Sequence, residues 1–337
     1  MTARPTMKDV AEHAGVSAMT VSRVVNGDRG VLPDTAAKVE QSIRKLGYQR
    51  DDVARQLRRK GQLTQTIGLL VDNVADPFMA AFASATEDVA RQRGSVVLIG
   101  SSRDDLRRER EVISAFTSRR VDGLILIPVG GSHRFLRSAI SMGTHVVCGD
   151  RPAPGLDVDT VVVDNRAAAQ QAVAHLIAYG HRRIAYLGDR REIWTVGERY
   201  AGYLAALAGA GIPADEQIVW HGLRRSPDAA AAVTEILANP DPPTAILASN
   251  DIVSVGVLAV LPPHVALVGF DDFVLADRLD PPVTVISQDP VATGTTAAHL
   301  LFARIHGDSS PARTVTLPTQ MIIRGSGEIP GPHRKGP

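Results

Sequence analysis

The sequence has almost no cysteine: Cys148 is the only one in 337 residues. That excludes an internal disulfide and a cysteine-based metal cluster, and it agrees with a reducing compartment. No uninterrupted apolar run approaches the roughly 20 residues that a membrane span requires. Residues 1–9 also lack an apolar stretch of the signal-peptide kind. A cytoplasmic location with no membrane partner is therefore expected. The ten histidines are scattered, with no pair at metal-ligand spacing. There is no P-loop, no Gly-x-Gly-x-x-Gly after a strand and no Gly-x-Ser-x-Gly elbow. These absences speak against an enzyme, so no catalytic group, metal or cofactor is expected.

What is present is ordinary for a globular protein of two or three domains, with 44% apolar and 22% charged residues. The net charge of +1 conceals an asymmetry. Residues 1–60 carry 12 Lys/Arg against 7 Asp/Glu, whereas the remainder carries 25 against 29. A basic head suits a polyanion, because each neutralised phosphate releases condensed counterions. Charge alone equally allows a solvated basic face.

From Thr66 onward, short β-branched runs alternate with stretches of helical period. The runs include Thr66–Val71, Gly123–Ile127, Thr160–Val163, Thr244–Ala248 and Val265–Phe270. Near-continuous apolar strands imply burial on both faces, hence parallel sheets covered by helices. There are too many such runs for one small sheet. Asp159–Asn165 and Ser287–Pro290 are the candidate crossings between two sub-domains. Helix ends carry their usual signals: Pro77 and Pro290 at first turns, and Gly94, Gly180, Gly211 and Gly307 just past last turns.

Residues 7–26 have a different pattern. Val10, Ala11 and Ala14 share a helical face, Gly15 and Val16 make a tight turn, and Ser17 caps a second helix with Val21, Val24 and Val25 inside. A third helix spans Pro33–Leu46. In a helix-turn-helix the second helix points its N-terminal residues at base edges. Here those are Ala18, Met19 and Thr20, with Ser22 and Arg23 one turn on. Arg23 has the geometry to bond guanine in a two-bond fork, while Ala18 and Met19 offer apolar contacts such as to a thymine methyl. Thr6, Ser17, Ser22, Asn26 and Tyr48 are candidate phosphate or positioning contacts. The plainer alternative is a three-helix cap with Arg23 merely solvated.

The segment from Asp9-Val-Ala through Gly15-Val-Ser to Thr20-Val-Ser-Arg-Val-Val-Asn26 closely resembles the head of the lactose/galactose repressor (LacI/GalR) family. The likeness continues through Tyr48 and Val53-Ala-Arg-Gln-Leu57. It extends to Val121-Asp-Gly-Leu, Gly180-His-Arg-Arg-Ile, Arg199-Tyr-Ala-Gly, Asn250-Asp and Gly269-Phe-Asp-Asp, and so covers nearly the whole chain. The resemblance implies an α/β fold: an N-terminal all-α helix-turn-helix head (1–49), a hinge helix and linker (50–63), and an effector-binding and dimerisation domain (64–328). That domain is expected to hold two doubly wound parallel-sheet sub-domains similar to periplasmic binding proteins, one about 64–162 plus 290–318 and the other about 163–289 plus 319–328. It also implies that Leu57 wedges into the minor groove with Ala54 beside it, flanked by the cations Arg55, Arg58, Arg59 and Lys60. Arg50 and Asp51 stand where the family usually has Pro-Asn, so the start of that helix departs from the pattern.

Carried over residue by residue, the family's ligand contacts fall on Asn73, Phe78, Asp150, Thr195, Arg199, Asn250 and Asp271. Asp150, Asn250 and Asp271 each follow an apolar run, where Asx residues are also common as helix caps. Arg199 has an alternative as an inter-domain salt bridge, Phe78 as core, and Trp194 and Trp220 as either core or cleft wall. The function implied is a sequence-specific transcription regulator, a repressor. It would bind pseudo-palindromic double-stranded DNA as a homodimer under control of a small-molecule effector, with a sugar favoured over a purine corepressor. Leu223, where some members present an aromatic, leaves the ligand class open. A transporter's solute-binding protein would need an export signal and would have no use for the basic head. An enzyme on the same body is the remaining alternative.

Overall fold

The computed structural model describes residues 5–25, 27–28, 30–48 and 63–333. The chain divides into two units, Met1–Thr64 and Gln65–Pro337. The first holds α1 (Met7–Ala14), α2 (Ala18–Val25) and α3 (Pro33–Leu46). Helix α1 begins on a capping box: the Asp9 amide donates to Thr6 Oγ1 at 3.3 Å and the Thr6 amide donates to Asp9 Oδ2 at 2.6 Å. It ends at Gly15, whose φ of 68° is a conformation that side chains resist. Ser17 Oγ then accepts from the Thr20 amide at 3.1 Å, which starts α2. Val10, Ala11, Val21 and Val39 form the head's core, with Tyr48 packed against it.

The body begins with β1 (Thr66–Val71), α4 (Pro77–Gln92), β2 (Val96–Ser101), α5 (Leu106–Ser118) and β3 (Gly123–Leu126). There follow α6 (Arg137–Ser141), β4 (His145–Gly149) and β5 (Asp159–Val163). The second half runs α7 (Asn165–Ala178), β6 (Ile184–Leu187), α8 (Trp194–Gly209), β7 (Val219–Trp220), α9 (Ser226–Leu237), β8 (Ala245–Ala248), α10 (Asp251–Leu258) and β9 (Ala266–Phe270). It closes with β10 (Thr284–Ser287), α11 (Pro290–Ile305), β11 (Thr314–Leu317) and β12 (Gln320–Ile322).

Among the described residues these strands form two six-stranded sheets, ordered β11-β5-β4-β3-β1-β2 and β12-β10-β9-β8-β6-β7. Neighbours are parallel except β12, which runs antiparallel on β10. Each sheet has a core on both faces, so both sub-domains are doubly wound. The chain passes between the sheets after β5, after β10, and between β11 and β12. Two glycines let the covering helices touch backbone to backbone. A Cβ on Gly202 of α8 would lie 2.2 Å from the Arg166 carbonyl oxygen of α7, and one on Gly294 of α11 would lie 2.4 Å from that of Phe82 in α4. Helix α8 starts at Trp194 without a side-chain cap, since its N-cap Ile193 offers no acceptor.

The C-terminal strand ends of the two sheets face one another. Asp104, just past β2, accepts from Arg224, just past β7, at 2.9 Å. In doubly wound sheets ligands bind at such strand ends.

Candidate functional site

In the head, Ser17, Ala18, Met19 and Arg23 are exposed along α2, Met19 at 75%, while Thr20 and Ser22 are partly covered. Thr6 and Ser17 serve as helix caps, which does not remove them from reach of a phosphate, since a helix N-terminus is itself an anion site. Arg23 is not simply solvated: its Nε donates to Asp28 Oδ2 at 2.8 Å. Tyr48 packs on the core with its surface half-exposed. Asn26, Ala54 and Leu57, with the rest of 50–62 that includes Arg50, Asp51, Arg55, Arg58, Arg59 and Lys60, lie outside the described residues.

In the body, the fixed point is Arg199, 4% exposed on α8. Its Nε donates to Asn165 Oδ1 at 2.7 Å, its Nη1 donates to the Ser249 carbonyl at 2.5 Å, and Nη1 stands 3.5 Å from Asp271 Oδ2. The Phe270 ring lies against the guanidinium, 3.6 Å from Cζ to the centroid. All these partners belong to its own sub-domain, so Arg199 is not an inter-domain bridge. Thr195 is buried one turn before it on the same face. Asp271 accepts from Gln288 Nε2 at 2.5 Å and sits at φ 70°, and burial pushes its carboxyl up to about 6 against the pull of Arg199.

The opposing wall comes from the first sub-domain. Asp150 ends β4 at φ 64°, where the Arg151 amide donates back to the Gly149 carbonyl at 2.6 Å and closes a tight turn around it. Neither Asp150 nor Asp271 is a helix cap. Asn250 is one, with its Oδ1 accepting from the Val253 amide at 2.8 Å. Asn73 Oδ1 accepts from the Ala75 amide at 3.1 Å, an Asx turn on an exposed loop. Phe78 is half-buried against the core beneath β1. Asp76, the N-cap of α4, has its carboxyl raised by burial and then by Asp251 and Asp150, so carboxylates of both sub-domains face one another here. Trp194 is half-buried at the start of α8, Trp220 lies on edge strand β7, and Leu223 is buried in the core beneath the second sheet.

Sequence reasoning missed a second cluster along the same strand ends. The Asp104 side chain, 4% exposed, takes Arg151 of its own sub-domain at 3.7 Å, and Arg190 at 3.3 Å and Arg224 at 2.9 Å from the other. Arg224 also reaches Asp189 at 3.8 Å, and Arg151 holds Asp150 at 3.0 Å. Burial and the adjacent Asp104 push the Asp72 carboxyl up to about 6. The one sequence signal was the Asp150-Arg151 pair at a strand end; Asp104 lies in a loop whose charges read as solvated. Gln288 was legible by analogy, since it follows β10 as Asp271 follows β9. A separate open cavity of about 960 Å³ lies at the opposite ends of β6 and β8, lined by Arg183, Tyr203 and Asp215; Arg183 there is already paired with Asp215 and Asp241. Among the described residues no group of side chains could hold a metal ion, and no helix is long and apolar enough to cross a membrane.

Comparison with known proteins places these features. Residues 6–51 match the model of bacterial regulatory proteins of the lacI family, and residues 173–327 match a periplasmic binding protein-like domain. The HTH-type transcriptional regulator CelR of Thermobifida fusca is 32% identical over 96% of this chain and 98% of its own. The structure of a CelR–cellobiose complex, 31% identical, superposes with a TM-score of 0.71 over 96% of this chain and 100% of that one. A lac repressor dimer bound to operator and an anti-inducer, 25% identical, gives 0.83 over 96% and 99%.

Two outcomes follow from the cleft's electrostatics. Between pH 4 and 6 the folded chain keeps a proton on Asp271 that the unfolded chain, with its carboxyl near 3.8, has released. Stability from this group therefore falls as pH rises through that window. Urea midpoints measured from pH 4 to 7.5 are expected to slope less steeply for Asp271→Asn than for the wild type, with the Asp72 contribution remaining. Asp104→Asn leaves Arg190 and Arg224 without their cross-cleft partner. Discounted for the exposure of those arginines, the cost to this arrangement of the sub-domains is about 1–2 kcal/mol. Small-angle scattering of the variant should show a larger radius of gyration; an unchanged radius would remove Asp104 as a closure contact.

Proposed function

Because the chain belongs to the LacI family of bacterial regulatory proteins, we propose that this DNA-binding transcription regulator is a cytoplasmic repressor that grips a pseudo-palindromic operator as a homodimer and is controlled by a sugar bound between its sub-domains. The observation that carries the sugar reading is the set of groups around Arg199. A sugar hydroxyl both donates and accepts, and here Arg199 donates while Asp271 and Asp150 accept, on opposing walls. Along these strand ends seven carboxylates (Asp72, Asp76, Asp104, Asp150, Asp189, Asp251 and Asp271) face four arginines (Arg151, Arg190, Arg199 and Arg224), an excess that disfavours an anionic ligand. Leu223, where some members of the family present an aromatic, is only 5% exposed in the sub-domain core, so an aromatic face for a ring must come from the half-buried Phe78, Trp194 or Trp220. The CelR–cellobiose complex supports the same class.

Ligand closure of the cleft changes the relation of the two sub-domains, and in a dimer that resets the spacing of the paired hinge segments carrying Leu57 and Ala54. The effector acts through its different affinity for the two states. Asn73, Phe78, Thr195 and Asn250 complete the candidate ligand contacts. Thr6, Ser17, Ala18, Met19, Thr20, Ser22, Arg23, Asn26 and Tyr48 are the candidate DNA contacts of the head.

The test is selection of bound DNA from a random pool with the full chain, followed by affinity measurement with a panel of sugars and purines. A pseudo-palindrome with a flexible pyrimidine–purine step at its centre is expected, with at least one sugar changing the affinity. Asp271→Asn, which keeps an acceptor oxygen for Gln288, should weaken that response and keep operator binding. Leu57→Ala should weaken operator binding about tenfold or more and non-specific binding little. A purine acting while every sugar fails rejects the sugar reading, and equal loss on both DNAs rejects the wedge.

A further inference from the structure

Arg23 is the one charged group on the exposed face of α2, and its side chain is 48% exposed, so burial does not hold it. Its position is set by the end of its own helix. The Gly27 amide donates to the Val24 carbonyl at 2.9 Å and the Asp28 amide donates to the Arg23 carbonyl at 3.0 Å, with Gly27 at φ 70°. This is the double hydrogen bond of a Schellman end, and it fixes where Asp28 stands. One Asp28 oxygen, Oδ2, takes Arg23 Nε at 2.8 Å, and the other, Oδ1, takes the Gly30 amide at 2.9 Å. Gly30 leaves the space the guanidinium occupies: a Cβ there would lie 2.5 Å from Arg23 Nη2, and its backbone is not in the left-handed region. Gly30 thus leaves room for the guanidinium while its amide closes the turn onto Asp28.

An arginine can fork onto guanine O6 and N7 side-on, through Nε and an η nitrogen, or end-on, through both η nitrogens. With Nε occupied by Asp28, only the end-on fork is open. We infer that Asp28 is a specificity-determining positioning residue, which together with the room left by Gly30 aims the Arg23 guanidinium for end-on reading of one guanine. The inference rests on the reading of Arg23 as a base contact given above. The competing possibility is that Asp28 is a nearby negative charge that DNA must displace.

The experiment uses the full chain and the operator selected above, with affinities measured for every single base-pair substitution. Arg23→Ala identifies the pair that Arg23 reads as the one whose substitution ceases to matter. Three variants then bear on the bracket. Asp28→Ala removes it. Asp28→Asn has one acceptor oxygen and can keep Gly30 or Arg23 but not both. Gly30→Ala leaves the carboxylate in place and pushes the guanidinium away. In each, discrimination at the Arg23 pair should fall from roughly tenfold or more to about threefold or less, with discrimination elsewhere retained. Unchanged discrimination in all three, with affinity for every DNA rising in the Asp28 variants, overturns the inference and makes Asp28 a competing charge. Equal loss at all base pairs overturns it in favour of a structural role. Arg23→Ala leaving every pair's discrimination intact overturns the inference together with the reading of Arg23 beneath it.

Discussion

The second sub-domain's wall of the cleft depends on one buried cation. A guanidinium withdrawn from water costs several kcal/mol unless its donors are satisfied, and Arg199 is satisfied by groups from three different elements. Asn165 opens α7 just after the chain crosses from the other sheet, Ser249 follows β8, and Asp271 follows β9. Each of those termini is therefore fixed relative to α8. Asp271 in turn is held in a left-handed conformation, a strain of order 1–3 kcal/mol, by Gln288 on its carboxylate and by its own amide donating to the Ile286 carbonyl at 2.8 Å. Groups held in this way are fixed in direction by the fold, which lowers the ordering cost for any ligand that uses them.

The two sub-domains are also linked in this structure by the protein's own charges. Asp104 reaches across to Arg190 and Arg224. These ions belong to the chain itself, so they help hold the two sub-domains in the relation seen here. Moving a two-state equilibrium from 1:99 to 99:1 takes about 5.5 kcal/mol, so a built-in contribution of 1–2 kcal/mol is a substantial share.

Most of the fold was legible because its strands are buried on both faces. β3, β6, β8 and β9 are covered along their whole lengths, and each reads as an uninterrupted apolar run. What escaped had weak contrast. β7 has two residues, β11 alternates Thr-Val-Thr-Leu on an edge with its threonines less covered, and α9 is an alanine-rich helix whose N-cap Arg225 makes no capping bond. The candidate site divides in the same way. Asp150, Arg199 and Asp271 carry a family pattern at strand and helix positions. Asp104 and Arg224 are loop residues whose meaning depends on two sheets facing one another, a relation between residues 120 positions apart that no local pattern encodes.

The head and body keep their functional side chains in place by different means, and this gives them unequal freedom to change. In the body Asp150, Arg199 and Thr195 are each less than 9% exposed, so replacing one strands its partners in a low-dielectric interior and damages the fold along with the site. In the head Met19 is 75% exposed and the Arg23–Asp28 pair is open to solvent, while the core beneath is only Val10, Ala11, Val21 and Val39 and their neighbours. Surface side chains of that kind can be exchanged with little effect on stability. Substitutions on the exposed face of α2 are therefore compatible with an unchanged fold, whereas substitutions around Arg199 require a buried hydrogen-bond network to be rebuilt as a unit.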